Sequence, residues 1–339
     1  MPHPFPNLPV PLGGDVHRLE VPSVALQGNY WSDPWKRELW VYTPPDYNET
    51  QRYPLVLFLS GFAGTGEAML ARSLTDISLA RRCDRWIAEG CPPFVAAFPD
   101  CITTLGGSQY LDSPAIGNYA THVVEELIPF VLAHFSCSGR VGLAGRSSGG
   151  YGALRLGMEH PQALHAIACH AGDMGFQTAF WGEITAALLP LHQAGSPRAF
   201  LDAFWRKRRF GSQDFAAFNL LCMSAAYSPN VHNEDFPADL PIDIEFGTVH
   251  PEVFDRWLQH DPLVLIEESA HQKALRSMDF VFLDVGASDE YLLQFGARKM
   301  VARLNEHQID HTYEEFDGGH RGTAYRYRAS IPKMIRALQ

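Results

Sequence analysis

Val141-Gly142-Leu143-Ala144-Gly145-Arg146-Ser147-Ser148-Gly149-Gly150-Tyr151-Gly152-Ala153-Leu154 is the stretch on which the fold turns. Small and apolar residues run into Gly145-x-Ser147-x-Gly149, and an apolar helical pattern (Tyr151, Leu154, Met158) follows until His160-Pro161 stops it. A strand, a very tight turn and a helix are expected, with Ser147 on the turn: a nucleophile elbow. Such a turn strains the serine backbone and demands neighbours without bulk, which Gly145 and Gly149 supply. Ser147 Oγ then stands above the sheet edge, at the positive end of the following helix.

Working outward, Leu55-Val56-Leu57-Phe58-Leu59 is a continuous apolar run, as expected of a parallel strand covered on both faces. A helical stretch from about Glu67 to Ala88, a strand over Phe94 to Phe98, a Gly-rich loop and a helix from Tyr119 to Phe135 lead to the elbow strand, Arg140 to Ala144. His165 to Cys169 makes a further strand. This β-α-β-α-β order predicts a mostly parallel, doubly wound α/β sheet. Before it, Val16 to about Gln27 and Glu38 to Tyr42 read as two antiparallel strands, and residues 1–14, rich in Pro and Gly, as an arm. The pattern resumes with a strand over Phe280 to Leu283, a helix from about Tyr291 to Asn305, a strand over Thr312 to Phe316 and a closing helix to Ala337.

Between those halves the alternation breaks down. Helix starts fall at Ser196-Pro197, Ser212 and His250-Pro251, and only Ile242 to Phe246 looks strand-like. The expected organisation is an α/β core over 15–172 and 278–339, with 173–277 inserted as a mainly helical cap or lid.

The chain has 339 residues, 46% hydrophobic and 12% aromatic, enough for a sizeable core. Its net charge of -11 argues against a nucleic-acid partner or an anionic membrane. The one cationic run, Arg206-Lys207-Arg208-Arg209, reads as a helix carboxyl end facing its dipole. Six cysteines show no C-x-x-C spacing, so neither a zinc site nor a redox pair is indicated, and no metal is expected. Met1-Pro2-His3-Pro4-Phe5-Pro6 lacks the basic and apolar regions of a signal peptide, and no apolar run approaches ~18 residues. A soluble, cytoplasmic protein is the expectation, with a homodimer compatible with it.

A serine hydroxyl is a weak nucleophile near neutral pH and needs a positioned base, itself oriented by a carboxylate. In the α/β-hydrolase pattern these follow the serine in the order acid, then histidine, each in a loop after a strand. Asp289, in Gly286-Ala287-Ser288-Asp289-Glu290, and His320, in Asp317-Gly318-Gly319-His320, hold those places. Asp284, at the strand end, and Asp317, close to His320, are the rival acids; His160 and His311 sit at a helix end and a strand start. An oxyanion hole needs two backbone N–H groups, here assigned to Ser148 after the nucleophile and Phe62 behind Gly61. Gly61-x-x-Gly64-x-Gly66 matches neither nucleotide-binding glycine pattern.

Tyr42-Thr43-Pro44-Pro45-x-Tyr47, Ser60-Gly61-Phe62, Gly107-Ser108-Gln109-Tyr110, the elbow itself, and Glu314-Glu315-Phe316 with His320 resemble the putative esterase family of α/β-hydrolases. That family groups esterase D (S-formylglutathione hydrolase), feruloyl and enterochelin esterases, and mycolyltransferases. The likeness runs from about Gly28 onward and is weak across 175–275. It implies triad roles for Ser147, Asp289 and His320, and oxyanion roles for Phe62 and Ser148. One departure stands out: Phe62-Ala63-Gly64 occupies the place of the Cys-bearing loop of esterase D-like sequences, which argues against glutathione thioesters.

Tyr110, Asp112, Arg146, Phe180 and Trp181 are candidate pocket residues, each with an equally good packing explanation. The sequence therefore predicts a serine carboxylic-ester hydrolase acting on a small-molecule ester without a cofactor. An acyltransferase using the same acyl-enzyme and a non-catalytic binding protein on the same scaffold are the alternatives.

Overall fold

The computed structural model describes residues 11–72 and 76–339. Most of the arm expected over 1–14 thus lies outside the described residues. At its described end, the Gly13 and Gly14 amides donate to the Asp84 carboxylate at 2.6 and 3.0 Å.

The chain opens with β1 (Asp15–Pro22) and β2 (Lys36–Thr43), paired antiparallel. Next come β3 (Tyr53–Leu59), α1 (Gly66–Leu70), α2 (Leu79–Ala88) and β4 (Val95–Pro99). Two small hairpins, β5–β6 (Ile102–Thr103, Gly106–Gly107) and β7–β8 (Asp112–Ser113, Gly117–Asn118), precede α3 (Tyr119–Thr121). A π-helical turn, His122–Leu127, carries α3 into α4 (Ile128–His134). Then follow β9 (Cys137–Arg146), α5 (Ser148–Glu159) and β10 (Ala166–His170). Six helices occupy the next stretch: α6 (Phe176–Ala194), α7 (Pro197–Phe204), α8 (Ser212–Tyr227), α9 (Pro251–Leu258), α10 (Pro262–Leu265) and α11 (Ser269–Arg276). β11 (Phe280–Gly286), α12 (Leu293–Glu306), β12 (Thr312–Phe316) and α13 (Tyr327–Ala337) close the chain.

One eight-stranded sheet, in the order β1-β2-β4-β3-β9-β10-β11-β12, organises these elements. β2 meets β4 antiparallel, and every pair from β4 to β12 is parallel. The all-apolar β3 and β4 are buried along their whole length, which is why they read as runs rather than alternations. Parallel pairing puts the carboxyl ends of β3, β9, β10, β11 and β12 on one edge, where open α/β sheets gather their functional loops.

Three sequence expectations change. The first strand ends at Pro22 and not near Gln27, because Ser23 Oγ accepts the Leu26 amide and a turn begins. The single helix from Glu67 to Ala88 is two helices, each with its own cap: Thr65 Oγ accepts from Ala68 N and Ser78 Oγ from Arg81 N. Ile242 to Phe246 is no strand; Ile242 makes one isolated bridge, to Val249. The Asp243 carboxylate accepts the amides of Glu245 and Phe246 at 2.8 and 2.7 Å, and Gly247 turns the chain at φ 68°. That local turn outcompetes the ladder its β-branched residues favour.

Between β10 and β11, α6 and α8 pack on one another. The Asp261 carboxylate, before α10, accepts the Gly175 and Phe176 amides at 3.0 and 2.7 Å and so holds the start of α6. No helix among the described residues is long and apolar enough to cross a membrane.

Candidate active site

β9 ends at Arg146 and α5 begins at Ser148, so the reversal is made at Ser147 alone, at φ 58° and ψ −129°. A non-glycine residue there is strained, and the surroundings hold it. Its amide donates to His170 O at 2.9 Å and its carbonyl accepts from Tyr151 N at 2.9 Å. The flanking glycines are there for contact: a Cβ on Gly145 would stand 2.1 Å from Gly149 O, and one on Gly149 2.1 Å from Leu59 O. Bulk at either position would push β9, α5 and β3 apart.

Asp289 follows β11 and His320 follows β12. Asp289 Oδ2 lies 2.8 Å from His320 Nδ1, and its Oδ1 accepts the Tyr291 amide at 2.9 Å. The His320 amide donates to Glu290 Oε2 at 2.6 Å, a bond that holds the Glu290 carboxyl below the usual range. The Tyr291 ring meets the imidazole edge-on at 4.8 Å. Three contacts therefore fix the ring, leaving Nε2 free. Ser147 and His320 line one cleft with an accessible volume of about 70 Å³, without a hydrogen bond between them in this structure. Phe62 and Ser148 line it too. Their amides make no hydrogen bond among the described residues, Ser148 N being the first of its helix. A Cβ on Gly61 would lie 3.5 Å from Ser147 Cβ, so the loop carrying Phe62 passes directly beside the elbow.

The rival acids are elsewhere. Asp317 is exposed. Asp284 is buried and joins a second Ser–His–Asp chain: Ser330 Oγ to His170 Nε2 at 2.8 Å, and His170 Nδ1 to Asp284 Oδ1 at 2.7 Å. Arg326 Nε donates to Asp284 Oδ2 at 2.9 Å. Ser330 is wholly buried and no substrate can reach it. This network braces α13 against the sheet.

Of the five pocket candidates, Phe180 lines the cleft and four do not. Tyr110 is buried behind the loop, its hydroxyl donating to Ser60 O at 2.7 Å and its ring filling the space that Gly152 leaves. Asp112 is exposed and caps α3, accepting the Thr121 amide and hydroxyl at 3.1 and 2.7 Å. Arg146 points to a neighbouring cavity, donating to Thr323 Oγ at 3.1 Å. Trp181, one residue past Phe180 on α6, falls on the outer face against Phe254, because consecutive helical residues diverge by about 100°.

The sequence reading missed Asp173, Glu183, Phe215, Asn219, Met223, Tyr291 and Leu293, which also line the cleft. Asp173 carried a signal: it stands three residues beyond β10, on the functional edge. Burial pushes its carboxyl up to about 6, against the pull of His320 and of hydrogen bonds from Gln109 and Ser148. An acid whose folded-state value lies above its unfolded 3.8 destabilises the fold increasingly as pH rises from about 4 to about 6. The melting temperature of Asp173→Asn minus that of the parent is therefore expected to be more positive at pH 7.5 than at pH 4. A difference that shrinks with pH would show Asp173 to be stabilised as the anion. Among the described residues no three His, Cys, Asp or Glu side chains converge as metal ligands.

A family model described as putative esterase matches residues 32–338. Among solved structures, a ferulic acid esterase is similar at TM-score 0.61 and 17% identity, over 97% of this chain and 100% of its own. An S-formylglutathione hydrolase from Agrobacterium tumefaciens is similar at TM-score 0.59 and 16% identity, over 97% and 98%. The fluorophosphonate-binding serine hydrolase F of Staphylococcus aureus is similar at TM-score 0.57 and 14% identity, over 96% and 99%. No curated protein matches the sequence. At such identities the structural likeness is one of fold, and that fold is the α/β-hydrolase fold.

Proposed function

Because the chain belongs to the putative esterase family, we propose that it is a serine carboxylic-ester hydrolase with Ser147 as nucleophile, His320 as base and Asp289 as orienting acid. The observation carrying this reading is the 2.8 Å His320–Asp289 bond in a cleft shared with a strained Ser147. With Nδ1 engaged by Asp289, Nε2 is the nitrogen that takes the Ser147 proton. Catalytic hydrogen bonds of this kind commonly tighten only with substrate in place.

As Oγ bonds to the ester carbonyl carbon, the carbonyl oxygen becomes an oxyanion, received by the free amides of Phe62 and Ser148. The tetrahedral species collapses: the bond to the alcohol oxygen breaks, and His320 gives that oxygen its proton. Water then attacks the acyl-enzyme, losing a proton to His320; the bond from Oγ to the acyl carbon breaks, His320 returns that proton to Ser147 Oγ, and the acid leaves. Asp289 holds the ring and stabilises its cationic form in both halves. In the same reading, 173–277 acts as a cap, since α6 and α8 bring Phe180, Phe215 and Asn219 to the cleft.

The test is covalent trapping. An alkyl fluorophosphonate is expected to add once per chain, on the tryptic peptide containing Ser147, and to abolish p-nitrophenyl butyrate hydrolysis in step. An adduct on another residue, or hydrolysis surviving full labelling, overturns the assignment.

A further inference from the structure

Asp173, Glu183 and Asn219 line the cleft, and the ester-cleaving steps do not use them. Asp173 is 8% exposed, yet it lines the cleft. Within 3.5 Å its carboxylate accepts from Ser148 Oγ, at 3.3 Å on Oδ2, and the Gln109 side chain also draws on it. Glu183 on α6 and Asn219 on α8 face the same space. Asn219 Nδ2 donates to Glu183 Oε2 at 2.8 Å; since a carboxylate cannot donate, this bond fixes the amide's orientation. Asn219 Oδ1 is thereby left buried with no donor. Among the described residues no Lys or Arg lines the cleft, and His320 is the one basic group there.

Buried acceptors without donors are uncommon because they are costly, and each requires an explanation. Two carboxylates in a cleft walled by Phe62, Phe180 and Phe215 also set a strong negative field, weakly screened by the apolar surroundings. We infer that Asp173, Glu183 and Asn219 form a subsite for a substrate group bearing its own hydrogen-bond donors, a hydroxyl or an ammonium, and that it turns away a carboxylate. The inference rests on the serine-hydrolase reading and names the substrate class for it. A hydroxyl or ammonium supplies the donor that Asn219 Oδ1 lacks and a further one to the Asp173 carboxylate. A methyl leaves Asn219 Oδ1 unpaired, and a carboxylate adds a third negative charge. Sites built to hydrogen-bond a substrate group discriminate strongly against analogues without it.

A plainer role for Asp173, holding Ser148 or stabilising the His320 cation, makes a different prediction: its removal scales every ester by one factor. The test therefore compares tails. One series keeps p-nitrophenol and varies the acyl tail among methyl, hydroxyl, ammonium and carboxylate ends of near-equal size. The other keeps a butyrate acyl group and varies the alcohol in the same way. In one of the two series, kcat/KM for the ammonium ester is expected to exceed that for the carboxylate by at least about 100-fold, with hydroxyl above methyl. Asp173→Asn is expected to shrink the ammonium-to-carboxylate ratio at least about tenfold. Glu183→Gln gives the same readout if the first variant does not fold.

No tail preference in either series, a ratio unmoved in the folded variants, or a uniform fall across all tails overturns the subsite while leaving ester cleavage intact. If the parent cleaves none of the esters, the proposed function fails, and the subsite is then decided by calorimetry on Ser147→Ala. There the ammonium ester is expected to bind at least about tenfold more tightly than the carboxylate. Equal binding overturns it.

Discussion

Ser147→Ala is expected to lower kcat toward a p-nitrophenyl ester by at least about 10³-fold, with the protein folded as before. The hydroxyl makes no hydrogen bond among the described residues, so its loss leaves no partner stranded. Alanine also meets the same backbone strain as serine at φ 58°. Ser147→Gly would be equally inactive but is expected to melt higher than Ser147→Ala, because glycine adopts that conformation freely. The pair thus separates chemistry from strain: equal inactivity with unequal stability. His320→Ala is expected to lose a comparable factor, and the double variant little more, since members of one catalytic unit are not additive. Turnover by Ser147→Ala at the parent rate would remove the serine from the mechanism.

The second large effect divides the two His–Asp pairs. Asp289→Ala is expected to cut kcat at least about 10³-fold, as it frees the His320 ring beside the nucleophile. Asp284→Ala is expected to act on stability instead, by about 3–5 kcal/mol, because Arg326 and His170 lose a buried charged partner. Denaturant unfolding and ester hydrolysis on the same two proteins read both axes. A stable but inactive Asp284→Ala, with an active Asp289→Ala, would exchange their roles. The contrast is informative because the pairs are nearly alike locally, at 2.7 and 2.8 Å. Only their setting differs: one opens on a cleft, and the other is sealed beneath α13.

That difference explains what the sequence could tell. The elbow was legible because its glycines answer a local demand, the near contact of three backbones around Gly145 and Gly149. β12 was legible to the residue, and with it the start of the loop bearing His320; β11 runs three residues past the expected Leu283, so the loop bearing Asp289 was located only by chain order. Asp284 and Asp289 could be ranked only by that order; what surrounds them is set by α13 and Arg326, far away in the chain. The cleft walls were harder still. Trp181 and Phe180 are adjacent, and nothing local says which one faces inward until α8 packs against α6. Tyr110 and Asp112 stand at the edge where ligands gather, but one fills the space beside Gly152 and the other ends as a helix cap. Glu183 and Asn219 reveal their role only through each other, across a separation of 36 residues.

β10 and β11 are hydrogen-bonded neighbours, although α6 through α11 intervene between them in the chain. A short crossover would join the same two strands, and the eight-stranded order would be unchanged. Ser147, Asp289 and His320 are carried by the frame, whereas Glu183 and Asn219 belong to the excursion. Lengthening such a connection costs only slowly growing entropy, so the detour can change in length and lining while the strand register beneath it stays as it is.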